Sequence, residues 1–117
     1  MIYAHIGENV LEIELANNSS AEAFADLLSQ GDVTVEMHDY GGFEKVGPLG
    51  ATLPRNDEAI TTAPGDVILY LGNQITIYYD VNSWTFTRLG RVSGLSQSEL
   101  KAVLGGGEVI VRFSLTR

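Results

Sequence analysis

Two kinds of hydrophobic spacing divide this chain. Near the start, Ile2, Ala4 and Ile6 alternate with Tyr3 and His5, and Leu11, Ile13 and Leu15 alternate with Glu12 and Glu14. A period of two sends successive side chains to opposite faces, so each run predicts a strand with one wet face. The "GEN" between them predicts a hairpin turn. The spacing then changes. Ser19 and Glu22 have the N-cap and N3 spacing of a capping box, and Phe24, Leu27 and Leu28 share one helical face. With Gly31 as a left-handed stop, the pattern predicts a helix over 20–29. Alternation resumes in "DVTVEMHDY", with Val33, Val35 and Met37 on one face and Thr34, Glu36 and His38 on the other.

Residues 41–65 break the rhythm. They hold all three prolines and glycines at 41, 42, 47 and 50. The stretch reads as a long connection, with at most a short strand at Ala51–Leu53; irregular chain of this length lies over one end of a fold or serves function. Strand signals then follow closely. "DVILYL" and "ITIYYD" flank a tight Gly72–Asn73 turn, and "TFTRLGRV" follows the "VNS" turn. A second helix over 96–104 begins with the capping box "SQSE" at Ser96, stapled by Leu95 and Leu100, and ends at Gly105. "EVIVRFSL" closes the chain, with Val109, Val111, Phe113 and Leu115 inward and Ile110, Arg112 and Ser114 outward. Seven or eight strands, two short helices and no βαβ rhythm predict a mostly β protein. The expected fold is a closed antiparallel β-barrel capped by two short helices, one domain over residues 1–117.

Charge and composition narrow the partners. A net charge of −8 repels nucleic-acid backbone and anionic membrane and favours cationic or neutral partners. With no cysteine there is no disulfide framework and no thiolate metal site. His5 and His38 fall on separate strands without a ligand spacing, so neither a metal nor a cofactor is expected. No apolar run approaches the ~20 residues of a membrane span, and the first residues lack a leader pattern, which gives a cytoplasmic expectation. The chain is expected as a monomer or weak homo-oligomer.

The residues with chemical potential are few. Tyr40, Phe43, Glu44 and Lys45 form an aromatic and charged cluster at the opening of the long connection. Trp84, the only tryptophan, stands at the mouth of a strand, where it can floor a pocket or pack on a rim. Arg88 and Arg91 are three apart, so a regular strand sends them to opposite faces and only one can reach a groove. Arg88 shares its face with Phe86. No nucleophile–base–orienter set is visible, and "LGGGEV" ends a helix, the wrong polarity for a phosphate. The groove candidates are Tyr40, Phe43, Glu44, Trp84 and Arg88.

The element order, together with "TFTRLGRVSG", resembles the cyclophilin barrel, where a Phe-Gly-Arg/Lys-Val-x-x-Gly run leads into the second helix. "PGDVILYLGNQITIYYDVNSWTFTRLGRV" and "EKVGPLGATLP" more closely resemble a compact bacterial and archaeal group of cyclophilin-like proteins. The wider family's activity is prolyl isomerisation, which twists an amide across a barrier of ~18–20 kcal/mol. The resemblance places the isomerase arginine on the strand after the first helix, where this chain has Glu36, Met37 and His38. The family's Gln-Gly-Gly-Asp-Phe string has no counterpart, and Trp84 is followed by Thr85, Phe86 and Thr87 without the family's histidine. The expected function is therefore binding of a peptide segment or small molecule in a groove without isomerase activity. The alternative is a weak prolyl isomerase or another enzyme using the same groove.

Overall fold

The computed structural model describes residues 1–117. The strands are β1 (Ile2–Ile6), β2 (Asn9–Leu15), β3 (Val33–Tyr40), β4 (Glu44–Pro48), β5 (Glu58–Thr61), β6 (Asp66–Tyr70), β7 (Gln74–Tyr78), β8 (Ser83–Val92) and β9 (Val109–Ser114). Helix α1 (Ser19–Ser29) lies between β2 and β3, and α2 (Gln97–Leu104) between β8 and β9. Eight strands run in the order β2-β1-β9-β3-β4-β7-β6-β8, and β8 pairs back to β2, closing a barrel in which every neighbour is antiparallel. The ninth strand, β5, pairs only with the first residues of β8. Closure removes the edges an open sheet would expose. No helix is long and apolar enough to cross a membrane.

The two helices close opposite ends. Helix α1 carries the chain from the end of β2 to the start of β3, and α2 carries it from the end of β8 to the start of β9; the antiparallel registers put these junctions at opposite rims. Helix α1 buries Phe24 and Leu28, and α2 buries Leu100 and Leu104, all in one core with the inward residues of the barrel. Phe24 meets Phe113 edge-on, centroids 5.7 Å apart. Glycine is required where the wall is tight. A Cβ at Gly90 would stand 2.4 Å from the Glu14 carbonyl oxygen, and one at Gly47 would stand 2.3 Å from that of Glu36.

Several boundaries differ from the sequence expectation. Asn18, not Ser19, caps α1: it is extended, and its Oδ1 accepts from the Ala21 amide at 2.8 Å. The same side chain donates from Nδ2 to the Arg88 carbonyl at 2.8 Å, so it caps the helix and ties it to β8 together. Ser19 is already the first residue of the helix, and its hydroxyl accepts from Asn56 instead. The second cap stands as expected, with the Ser96–Glu99 box complete and Gly105 at φ 68°.

The stretch 41–65 contains two strands, β4 and β5, while Ala51–Leu53 forms none. Strand β4 escapes detection because "EKVGP" has no apolar alternation: its most buried side chain is a lysine. The β6–β7 turn is centred on Leu71 and Gly72, both at positive φ (55° and 76°), one residue earlier than Gly72–Asn73. At the carboxyl end, β9 stops at Ser114. Its hydroxyl accepts from the Thr116 amide at 3.0 Å, so Ser114 is buried and Leu115 is exposed, the reverse of strict alternation.

Candidate functional site

The barrel strands β6 and β7 are buried on both faces. Val67, Leu69, Ile75 and Ile77 fill the interior, while Ile68 and Tyr78 join Phe86 and Ile60 in a second, smaller cluster on the outside, under β5. Beside this outer cluster lies a cavity of about 460 Å³. Six aromatic residues line it: Tyr40, Phe43, Tyr70, Tyr78, Trp84 and Phe86. Four form a continuous series. Tyr40 meets Phe43 edge-on at 6.1 Å, Phe43 lies parallel to Tyr78 at 5.8 Å, and Tyr78 tilts against Phe86 at 5.7 Å. Offset and edge-to-face rings at such spacings attract through their quadrupoles, so they hold one another in place. Trp84 and Tyr40, each 61% exposed, form the open rim.

Each wall follows from strand alternation. Glu44 and Val46 face outward from β4, Gln74 and Tyr78 from β7, and Trp84 and Phe86 from β8. The β3–β4 turn, with Gly41 and Gly42 at positive φ, brings Tyr40 and Phe43 to the same mouth. Asn82 closes the far side, donating to the Tyr78 hydroxyl at 3.2 Å.

Glu44 is the only charged residue in the lining. It is 7% exposed, and its Oε2 has no hydrogen-bond partner. Burial pushes its carboxyl up to about 7, opposed in part by the nearby Tyr78 hydroxyl. A low-dielectric setting disfavours the charged form of an acid, which is the dominant cause here. The same burial raises the Tyr78 phenol above its ordinary range.

Of the five groove residues expected from sequence, four line this cavity: Tyr40, Phe43, Glu44 and Trp84. Arg88 does not. Strand β8 carries a bulge: Val67 pairs with Gly90 but Ile68 pairs with Arg88, leaving Leu89 as an extra residue. The extra residue resets the alternation, so Arg88 and Arg91 reach the same side instead of opposite faces. Both hold the buried carboxylate of Asp66, Arg91 through Nε at 2.8 Å and Arg88 through Nη2 at 3.3 Å. A carboxylate without solvent needs such partners, and that need draws Arg88 away from the groove.

Lys45, the neighbour of Glu44, faces the other way. It is fully buried, paired with Asp39 at 2.9 Å, and donates to the Gly107 carbonyl. On β3, Met37 belongs to the core while Glu36 and His38 are exposed outside the lining, so no arginine or lysine lines the cavity. No group of three or more His, Cys, Asp or Glu side chains is gathered for a metal. Val46, Tyr70, Gln74, Tyr78, Asn82 and Phe86 also line the cavity and are not among the residues expected from sequence. The signal for Tyr70 and Tyr78 alone is present: they are large apolar-bodied side chains on the alternate positions of "DVILYL" and "ITIYYD", and a strand with such residues on both faces must be covered on both.

The closed antiparallel barrel with its two helices defines a cyclophilin-like architecture. The chain belongs to the cyclophilin-like family, whose model matches residues 4–114. Among solved structures, that of McbB in complex with tryptophan is similar, with a TM-score of 0.72 and 14% identity. The match covers 99% of this chain and 45% of that one, so the present chain spans under half the length of McbB. No match to a curated protein was found.

Proposed function

We propose that this protein binds a small organic molecule, or a side-chain-sized stretch of peptide, in the outer groove without isomerising prolyl bonds. The observation that supports this most directly is the cavity itself: about 460 Å³, six aromatic residues and one carboxylate oxygen without a partner. Ligand sites typically have this size, apolar walls and a few placed polar groups. McbB, of similar fold, is described in complex with tryptophan, and an aromatic occupant of that kind suits a lining of rings. Prolyl isomerisation requires a donor that favours the twisted amide over the planar one, and the lining offers no guanidinium for that role.

The test joins two measurements. Titration of soluble aromatic small molecules and short peptides, followed by Trp84 fluorescence, should give saturable changes for at least one class. A coupled prolyl-isomerase assay should give no rate above background. Absence of any saturable response removes the binding reading, and a rate that survives repurification removes the non-isomerase one.

One observation favours a second reading, an enzyme that uses the same groove. A carboxyl held at about 7 with a free oxygen is suited to exchange protons at neutral pH. A Glu44→Gln variant that still binds a convertible ligand but no longer turns it over would establish it.

A further inference from the structure

Resting on the ligand-binding reading of the groove, we infer that its occupant is a protonated amine carried on an aromatic or alkyl body. The groove contains one charge, the Glu44 carboxyl, and no positive residue to neutralise it. Lys45 is adjacent in sequence, but strand alternation turns it to the opposite face, where Asp39 and the Gly107 carbonyl already occupy it. Arg88 is held by Asp66. The titratable groups that share the cavity with Glu44 are Tyr40 from β3, Tyr70 from β6 and Tyr78 from β7, all phenols.

Of these, Tyr78 interacts with the carboxyl, and its hydroxyl oxygen already accepts from Asn82. Oε2 remains without a donor. Buried polar atoms are seldom left so, and a buried carboxylate least of all. An ammonium supplies both what is missing, a positive charge and an N–H donor.

The surrounding rings suit the same group. Aromatic faces attract cations through their negative quadrupole, and desolvated sites strengthen that attraction. Phe43, Tyr78 and Phe86 supply such rings at the base, and Trp84 and Tyr40 stand at the rim to receive the apolar body. The net charge of −8 draws cations toward the molecule before contact. An anionic ligand would meet Glu44 as a like charge, and a neutral one would leave the carboxylate's charge uncompensated.

Three probes with one body and three charges test this: phenethylamine (protonated), 2-phenylethanol (neutral) and 3-phenylpropionate (anionic). Each is titrated at pH 8 against the intact protein, with excitation selective for Trp84. The amine should bind at least about tenfold tighter than the alcohol, with the acid weakest. Glu44→Gln should reduce the amine's advantage over the alcohol to about threefold or less. Equal affinity for amine and alcohol, or preference for the acid, overturns the inference and leaves the groove reading intact. Silence from all three probes overturns both. The charge series on the unmodified protein decides the matter even where the variant folds poorly.

Discussion

The Nζ of Lys45 lies 2.9 Å from Oδ1 of Asp39, and the lysine is wholly buried while the aspartate keeps access to water. The pair grips the segment before β9: Lys45 donates to the Gly107 carbonyl, and Asp39 Oδ2 accepts from the Gly107 amide at 3.0 Å. The hydroxyl of Tyr79 also donates to Asp39, at 2.9 Å.

Unequal exposure makes the two removals unequal. Asp39→Ala strands a buried ammonium and should cost about 3–5 kcal/mol. Lys45→Met replaces the buried stem with an apolar one and leaves a carboxylate that water can reach, so about 1–2 kcal/mol is expected. Urea unfolding at pH 7 measures both. Equal losses would contradict the account of Lys45 as a buried charge dependent on Asp39. The Lys45 ammonium also holds the Asp39 carboxyl below the ordinary carboxylate range. A depressed acid contributes stability that is present above its unfolded pKa, so this contribution is lost only as pH falls through the acid range.

The caps give a second prediction. Asn18→Ala removes both the acceptor for the Ala21 amide and the donor to the Arg88 carbonyl, and should cost about 1–2 kcal/mol or more. Ser96→Ala removes one cap acceptor and should cost about 0.5–2 kcal/mol. Ser19→Ala should cost less than about 0.5 kcal/mol, because the Ser19 hydroxyl only accepts from Asn56 at an exposed position. Thermal unfolding of the three variants ranks them, and a Ser19 loss equal to that of Asn18 would restore Ser19 as the cap.

How much was legible in the sequence depends on whether alternation was intact. It was intact in β1, β2 and β3, and with the capping boxes and glycine stops of the two helices it gave the barrel and the order of its elements. It failed in β4, where Lys45 takes an interior position because the Asp39 carboxylate across the hairpin and the remote Gly107 carbonyl await it there; the pairing that brings them together is a matter of register. It failed again at the β8 bulge, since one unpaired residue is a property of register and not of composition. The groove was half legible for the same reason. Tyr40, Phe43, Glu44 and Trp84 stand out as aromatic or charged residues near turns. Tyr78 and Phe86 read as ordinary core residues until β5 is known to fold over the outside of β8.

The pH dependence of stability separates Glu44 from every depressed acid. Its carboxyl moves from 4.5 up to about 7 on folding, so the folded state binds the proton more tightly than the unfolded one. Stability is then greatest while the group is protonated and falls as pH rises from about 4.5 to 7, by roughly 3 kcal/mol. Glu44→Gln removes the charge that must be buried. The variant should match the parent near pH 5 and exceed it near pH 8, as read from unfolding midpoints at the two pH values. A parent–variant difference that does not change with pH would place Glu44 in a solvated, unperturbed setting. A bound amine should reverse the trend, because ligation favours the ionised carboxylate and grows as pH rises through 7.

Trp84 supplies the last prediction, because it is both rim residue and reporter. As the only tryptophan it reports its own surroundings without interference, and at 61% exposure it should emit as a largely solvated indole and be quenched readily by acrylamide. An occupant seated between Trp84, Phe43 and Tyr78 covers part of that indole, so quenching should fall as the groove fills. Trp84→Ala should weaken binding by about 1–3 kcal/mol, the worth of an aromatic face against a buried ligand. Because the reporter is lost in that variant, affinity there is measured by calorimetry. Arg88→Ala is the matched control on the same strand: its guanidinium is held by Asp66 outside the lining, so binding should change by less than about twofold. Stability should fall instead, since Asp66 would keep only Arg91. If Trp84→Ala binds like the parent while Arg88→Ala loses affinity, the ligand lies along the Asp66 side of β8 and not in the aromatic groove.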